Sequence, residues 1–433
     1  MKKIITLTSI ISSAFFASHA MAADLNEIYQ LSLTNDAELA AAKAKRSSGD
    51  YQVDIARAAL LPQVTLGADK VFSDTETDAG DIDYDTLSFN ATISQTLFNL
   101  NSWYTYQAAS AGGSVSDLEY MLSEQQLILR SAEAYFNVLR AKENLETAQA
   151  EEKAVKRQLE QTQQRFEVGL IAITEVHEAE ASYDLSYANL IGQEAALDIS
   201  YEALEQITGQ RFENLAHLRS DVEFSTPKKA VGEWVDAGLS KYAGIQLAQE
   251  GVNAAEYTRK AGWSNYAPQI NAQFSYTDGE QYNQVIGDTS DITNTTLAIS
   301  AKIPLFAGGS NYARAKQAAA RTTEASANLD LQQRTVKNNI RSLYRKVQTD
   351  VLTVKARNRA TVSSRSALEA TETGYQVGTR NIVEVLNAQR NLFSAQRDYA
   401  NARYDYIIDL LNLKFFAGSL AEADIQALNA WLK

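Results

Sequence analysis

The chain has no cysteine, three histidines and only four prolines in 433 residues. Without Cys there is no disulfide framework, no thiolate nucleophile, no Cys-ligated metal and no lipid anchor on an N-terminal Cys. His19, His177 and His217 are scattered. His177-Glu178 opens like a zinc-protease helix, but Ala181 stands where the second His is required. No Ser-His-Asp set, glycine-rich phosphate loop or metal-ligand spacing is present. An enzyme, a bound cofactor and a metal are therefore not expected. Basic charge is also in short supply. With 40 Lys and Arg against 53 Asp and Glu, the net charge is −13, which disfavours nucleic acid as a partner. For a monomer that acidity serves solubility; around an aqueous duct it would favour cations inside. After the N-terminus no uninterrupted apolar run is long enough for a spanning helix, which needs roughly 20 residues. A β-barrel stays open, because it too satisfies every backbone group inside lipid.

The N-terminus reads as a secretory signal over residues 1–22. Lys2 and Lys3 form its charged region, Ile4 to Phe16 its apolar core, and Ala20-Met21-Ala22 an A-x-A cleavage site. The mature chain is expected to begin at Ala23. Loss of two lysines takes the charge from −13 to −15.

The remaining chain is written twice. Leu61-Pro62-Gln63-Val64 matches Ala267-Pro268-Gln269-Ile270, and Leu97-Phe98 matches Leu305-Phe306. Val168-Gly169 matches Val377-Gly378, and Ile207-Thr208-Gly209 matches Phe416-Ala417-Gly418. The offsets of 206 to 209 are too long for a solenoid and mark a duplication. The expected repeats are 23–226 and 227–433, joined near Ser225-Thr226-Pro227.

Each repeat opens with a helical pattern, Leu25 to Leu60 and Val235 to Trp263, ended by Pro62 or Pro268. The period then changes to 2. Val64, Leu66 and Ala68 alternate with Thr65, Gly67 and Asp69; Leu87, Phe89, Ala91 and Ile93 alternate with Ser88, Asn90 and Thr92. Ile270, Ala272, Phe274 and Tyr276, and later Leu297, Ile299, Ala301 and Ile303, repeat the pattern. The expected strands are 63–74, 85–98, 269–278 and 292–306, about the length of transmembrane β-strands. Thr75 to Asp83 and Asp278 to Asp291 are expected as acidic, water-facing loops. Aromatics gather at one end of these strands. Trp103, Tyr104, Tyr106, Trp263 and Tyr266 are expected to form an interfacial belt.

Very long helical patterns follow, the first from Gln107 to about Phe166. Steps of 3 and 4 in Leu118, Leu122, Leu129, Phe136 and Leu139, and in Val336, Ile340, Leu343, Val347, Val351 and Val354, give modest coiled-coil seams. Val-Gly breaks then turn the chain back, at tips 168–175 and 375–387. The fold class is α+β. Four strands cannot close a membrane barrel, since the smallest closed ones have about eight, and open edges in lipid cost several kcal/mol per group. Two chains would give eight strands and three would give 12; the pattern requires more than one chain and does not choose.

The chain resembles the TolC family of outer-membrane channel-tunnels over nearly its whole mature length. The resemblance is carried by Ala59-Leu60-Leu61-Pro62-Gln63, Ala134-Tyr135-Phe136-Asn137-Val138-Leu139 and Arg165-Phe166-Glu167-Val168-Gly169-Leu170. Gly374-Tyr375-Gln376-Val377-Gly378-Thr379-Arg380 and Asn401-Ala402-Arg403-Tyr404 complete it. It implies a homotrimer with a 12-stranded barrel in outer-membrane lipid and a 12-helix tunnel through the periplasm. It implies docking to a periplasmic adaptor (membrane fusion) protein and an inner-membrane pump of RND, ABC or MFS type. The implied function is an exit duct for efflux or type I secretion. The resemblance also implies a periplasmic gate: Tyr375 and Arg380 bonded to a neighbouring tip at Thr174 and Glu175, and Arg403 bonded to Glu372 and Gln158. Relatives carry two acidic residues in a constriction ring; here Glu384 fills the first position and Asn387 the second. The chain ends at Lys433 soon after its last helical pattern, so a long C-terminal tail is expected to be absent. The rival reading, a trimeric coiled-coil adhesin or periplasmic spacer, explains the leader and the heptads. It leaves the duplicated strand pairs, the aromatic belt and the twin tips without a purpose.

Overall fold

The structure is a computed structural model that describes residues 22–77 and 80–433. The expected leader lies outside the described residues except for Ala22. Ala23 is already part of the fold, its N–H bonded to Asn214 O at 3.0 Å and its carbonyl accepting from Ala216 N at 3.0 Å. One element order is used twice. The first half runs α1 (Leu25–Asn35), α2 (Ala37–Ala58), β1 (Gln63–Thr77), β2 (Gly80–Asn99), α3 (Leu100–Glu167) and α4 (Ile173–Thr208). The second runs α5 (Val231–Lys241), α6 (Ala243–Ser264), β3 (Gln269–Asn283), β4 (Asp288–Lys302), α7 (Ser310–Gln376) and α8 (Ile382–Phe416), with a short α9 (Glu422–Asn429) after it.

The opening helices, expected as single rods, are each broken in two. At the first break the Asp36 carboxylate accepts from Leu39 N at 2.6 Å and so caps α2. Arg130 of α3 holds that carboxylate with two hydrogen bonds, at 3.0 and 3.2 Å. At the second break Tyr242 turns its ring onto Phe415 and Phe416, with centroids 5.5 and 5.7 Å away. A local cap does the work in one repeat and aromatic packing in the other.

The four strands form one antiparallel sheet in the order β1-β2-β3-β4. The segments 75–83 and 278–291, expected as loops, are largely strand where described: β1 pairs β2 as far as Thr77↔Gly80, and β3 pairs β4 from Gln269↔Lys302 to Asn283↔Asp288. Ladder hydrogen bonds, not side-chain alternation, carry the sheet through these acidic stretches. The register puts Val64, Ile93, Phe274 and Leu297 in one row and Leu66, Ala91 and Tyr276 in the next. That face is apolar and bare, with Leu66 82% and Leu297 72% exposed. Thr65, Thr92, Ser275 and Thr296 form a row of the opposite face, which is polar. Gly279 lies on that face where β2 passes close; a Cβ there would meet Leu87 O at 2.4 Å. Above the apolar band the first face turns charged, with Lys70 near Asp85 (3.9 Å) and Glu280 opposite Asp291.

Helix α3 has 68 residues and α7 has 67, each roughly 100 Å long at 1.5 Å per residue. Against α3 pack α2 near its start and α4 near its end; α6 and α8 do the same for α7, and α3 also contacts α6 and α8. Close approach of the shorter helices is permitted by small residues such as Ala261, Ala315 and Ala318, all buried. The expected seam is buried at Val336, Ile340, Val347, Val351 and Val354. Apart from a thick belt at mid-length, the helices form a single-layer wall. In that belt α1, α5, α9 and residues 215–224 pack on Tyr135, Phe136, Leu139, Tyr404 and Ile407. There the Tyr135 hydroxyl donates to Ala216 O at 2.7 Å, tying the linker to α3.

Candidate functional site

Both long helices end in the same way. After Glu167 the chain passes through Gly169 at φ +74°, with Gly169 N bonded to Phe166 O (2.8 Å) and Leu170 N to Arg165 O (2.9 Å). After Gln376 it passes through Gly378 at φ +79°, with Gly378 N bonded to Tyr375 O (3.1 Å) and Thr379 N to Gly374 O (2.8 Å). These are left-handed helix ends, for which glycine is the favoured residue. The return helix α8 is capped by Asn381, whose side chain accepts from Glu384 N at 3.0 Å. The tips lie side by side. Ala179 of α4, Ile382 and Leu386 of α8 and Val155 of α3 bury one another there, with Tyr375 packed against them. Yet the turns themselves expose apolar side chains, with Val168, Leu170 and Val377 each about 70% exposed.

The expected gate and ring residues fall into three groups. Gln158, Glu372 and Tyr375 line a single groove of about 900 Å³ between α3, α7 and α8. Within it Gln389 Nε2 donates to Glu372 Oε1 at 3.5 Å, and the Arg165 guanidinium lies 4.9 Å from the Tyr375 ring centroid. The Tyr375 hydroxyl, Gln158 Nε2 and Gln389 Oε1 are buried without a hydrogen-bond partner among the described residues. The sequence alone gives Gln389 and Arg165 no role, because their positions depend on helix register rather than on any local motif.

A second group lies along the start of the return helices. Thr174 and Glu175 are in the first turn of α4. Glu384 and Asn387, three residues apart, share one face of the first turns of α8, and Arg380 lies in the turn just before its cap Asn381. Within the chain Arg380 Nη1 pairs with Glu384 Oε2, and no bond from Arg380 or Tyr375 to Thr174 or Glu175 exists among the described residues. The expected ring acid is thus the partner of the expected gate cation.

Arg403 is the third case, and its expected partners are corrected. It is buried in the mid-length belt, where Nη2 donates to Arg219 O at 2.7 Å and Nη1 lies 3.8 Å from Glu143 Oε1. Arg357 bonds Asp398 and Lys346 bonds Asp409 across α7 and α8, both at 2.8 Å. That register sets Arg403 opposite a point roughly 20 residues up α7 from Glu372, about 30 Å away.

The expected belt aromatics stand on helices or just beyond a helix end rather than on the strands. The Asn99 side chain accepts from Asn101 N and Ser102 N and starts α3 at Leu100, so Trp103, Tyr104 and Tyr106 occupy its first two turns. Trp263 is near the end of α6 and Tyr266 just beyond it, their ring centroids 6.2 Å apart. Asn101 Nδ2 donates to Ala261 O at 2.8 Å, joining these two helix ends at the junction between sheet and wall.

This arrangement is a sheet with one apolar face, hung on a hollow-walled bundle that ends in two tips. The family model for outer membrane efflux proteins matches it twice, over residues 28–210 and 236–419. The chain belongs to the outer membrane efflux protein family. The chain is 36% identical to the outer membrane protein TolC of Vibrio cholerae, over 100% of this chain and 99% of that one. It is 33% identical to TolC of Escherichia coli, over 99% and 89%. Its fold matches the crystal structure of the Campylobacter jejuni CmeC outer membrane channel with a TM-score of 0.81, at 17% identity, over 94% of this chain and 90% of that one. This outer membrane efflux protein is an exit duct of the Gram-negative outer membrane.

Proposed function

We propose that three copies of this efflux protein close into one duct, gated at the six hairpin tips. The observation that carries the reading is the open four-stranded sheet. Its edge strands β1 and β4 each offer 15 residues of backbone, and unpaired N–H and C=O groups in lipid cost several kcal/mol each. Three sheets give 12 strands, enough for a lumen. The apolar face would meet lipid and the Thr, Ser and Asn face would line the water path. The wall repeats the logic of the sheet. Leu331, Leu352 and Val362 on α7, and Leu185, Ile191 and Ile199 on α4, are exposed in the single chain and suit burial against a neighbouring copy. Trp103, Tyr104, Tyr106, Trp263 and Tyr266 would then ring the periplasmic lipid boundary.

At the tips the resemblance assigns links from Tyr375 and Arg380 to a neighbour's Thr174 and Glu175. Arg380 has an alternative partner in Glu384, and an exposed i,i+4 pair is worth only about 0.3–0.5 kcal/mol. Exchange between the two is therefore cheap, which suits a gate. The bare Val168, Leu170 and Val377 offer a periplasmic adaptor protein an apolar foothold, and through it an inner-membrane pump of RND, ABC or MFS type. Cargo would be drugs, toxic compounds or secreted proteins, selected by the pump. The test is a deletion strain complemented with wild-type or tip-altered chain. Restored drug and detergent resistance by the wild type, lost with Val168→Asp and Val377→Asp, is the expected outcome. Full resistance without any copy of the chain would refute the reading.

A further inference from the structure

The two hairpins of the sheet are built to one ruler. β3 repeats β1 at an offset of 206 residues, and β4 repeats β2 at 208. The ladders obey both offsets over their full length. Gln63↔Ser94 becomes Gln269↔Lys302, Val64↔Ile93 becomes Ile270↔Ala301, and Thr77↔Gly80 becomes Asn283↔Asp288. Within the chain β2 and β3 join the first repeat to the second, with Phe89↔Asp278, Ile93↔Phe274, Gln95↔Ala272 and, past a bulge, Phe98↔Ile270. The converse joint, from a second repeat to a first, is not made, because β4 and β1 are the two edges of the sheet. The residues that would make it are bare. Leu305 and Phe306, which repeat Leu97 and Phe98, are 88% and 86% exposed. The wall shows the same gap. Helix α6 packs on α3 with Ala261 buried, whereas Tyr51 and Ile55 of α2, which repeat as Tyr257 and Ala261, are each about two-thirds exposed.

We propose that β4 takes β1 of a second copy in the register that β2 and β3 use, so that the joint between copies repeats the joint between repeats. The offsets set Ile303 opposite Leu66 of the second copy, Ala301 opposite Ala68, Leu297 opposite Phe72 and Phe306 opposite Val64. Apolar side chains exposed in the single chain thereby become cross-strand neighbours on the lipid face. On the polar face the exposed Lys302 comes diagonal to Asp69 of the second copy, within reach of a long side chain. Asp69 uses Oδ2 to accept from Asn90 Nδ2 at 2.6 Å and has Oδ1 to offer. Pro304 falls at the bulge, where a missing N–H is tolerated. A slip of one residue would turn Leu66 and Phe72 to the water path, and a slip of two would set Leu297 against Lys70 or Asp74. By the same offsets Tyr51 and Ile55 of the second copy lie on α7 as Tyr257 and Ala261 lie on α3. The register rests on the multi-copy reading above for its second chain; it adds which residues meet.

The chain has no cysteine, so introduced pairs report alone. Each full-length chain carries Ala68→Cys with one of Ile299→Cys, Ala301→Cys or Ile303→Cys, is assembled in the outer membrane, oxidised and run on a denaturing gel without reductant. Directly opposed residues stand about 4.5–5.5 Å apart, inside disulfide reach, and diagonal ones about 7–8 Å, outside it. The chain with Ala301→Cys should link to its neighbours, up to closed covalent trimers, about tenfold more than either flanking pair. Asp69→Cys with Ser300→Cys, opposed in the same register on the polar face, should link as well. Ala68→Cys with Phe89→Cys, opposed within the chain, should close internally and report that the sheet is formed. Linking through a flanking pair instead overturns the register and leaves the duct standing. An internal link that closes while no pair joins two chains overturns the register together with the duct reading. An internal link that fails to close overturns the repeat ruler itself.

Discussion

In the proposed trimeric duct, replacing Asn387 by Asp should convert a weakly charged ring into a cation trap. Asn387 is exposed on the face of α8 that carries Glu384, and Arg380, in the turn before α8, already pairs with Glu384 within the chain. Three copies of Asn387→Asp would add three carboxylates one turn along, with no cation assigned to them. At a constriction radius of about 8 Å, one pair of unit charges in water interacts by about 0.5 kcal/mol. A divalent cation facing three carboxylates gains about 3 kcal/mol, which screening over a Debye length of about 10 Å at 0.1 M reduces to about 1.4 kcal/mol. Block by divalent cations should therefore tighten about tenfold. The assay is planar-bilayer conductance with a divalent cation titrated on the periplasmic side, for wild type, Asn387→Asp and Asn387→Gln. The Gln chain should match the wild type. Equal block in all three would refute the charge argument, and equal tightening in Asp and Gln chains would show that shape, not charge, governs the constriction.

Three other outcomes follow from the fold. Leu66→Arg, on the apolar face, should cost about 2–4 kcal/mol at the bilayer midplane and deplete assembled protein from the outer membrane, whereas Thr65→Arg on the polar face should assemble; equal yields would contradict the assignment of faces. Tyr404→Phe removes the 2.6 Å bond from a buried hydroxyl to Glu143 Oε1 and should destabilise the mid-length belt by about 1.5–3 kcal/mol, read as a lowered melting temperature; an unchanged melt counts against that bond. Gly378→Ala forces a Cβ into the left-handed region at φ +79°, costs about 1–2 kcal/mol and should speed amide exchange at the ends of α7 and α8 while leaving the belt unaltered.

Much of this fold is legible in the order of the residues. The clean alternation from Val64 and from Ile270, the two prolines and the two Val-Gly turns carry the duplicated plan, because each is a local signal with a local cause. Most of what the order hides is long-range. Asp36 inside a helical run reads as one more surface charge until Arg130, 94 residues on, clamps it. The acidic segments after Thr75 and Asp278 lack the two-faced pattern of a lipid-embedded strand, yet the ladder continues through them because backbone pairing is indifferent to side-chain polarity. The tips are legible as turns, but the local role of Arg380 is not: its spacing of four from Glu384 is plain, and the resemblance directs it elsewhere. Arg403 is a similar case. Residue spacing alone separates it from Glu372, since the two stand at unequal distances from the tip they flank, on α8 and α7.

The central claim is that this chain assembles into a conducting duct, and purified protein in a planar bilayer tests it most directly. The expected result is discrete conductance steps from detergent-purified protein, cation-selective and increased when Arg380 and Tyr375 are replaced together by Ala and Phe. Protein that is folded, inserts into the bilayer and passes no current, with or without those replacements, would contradict the claim.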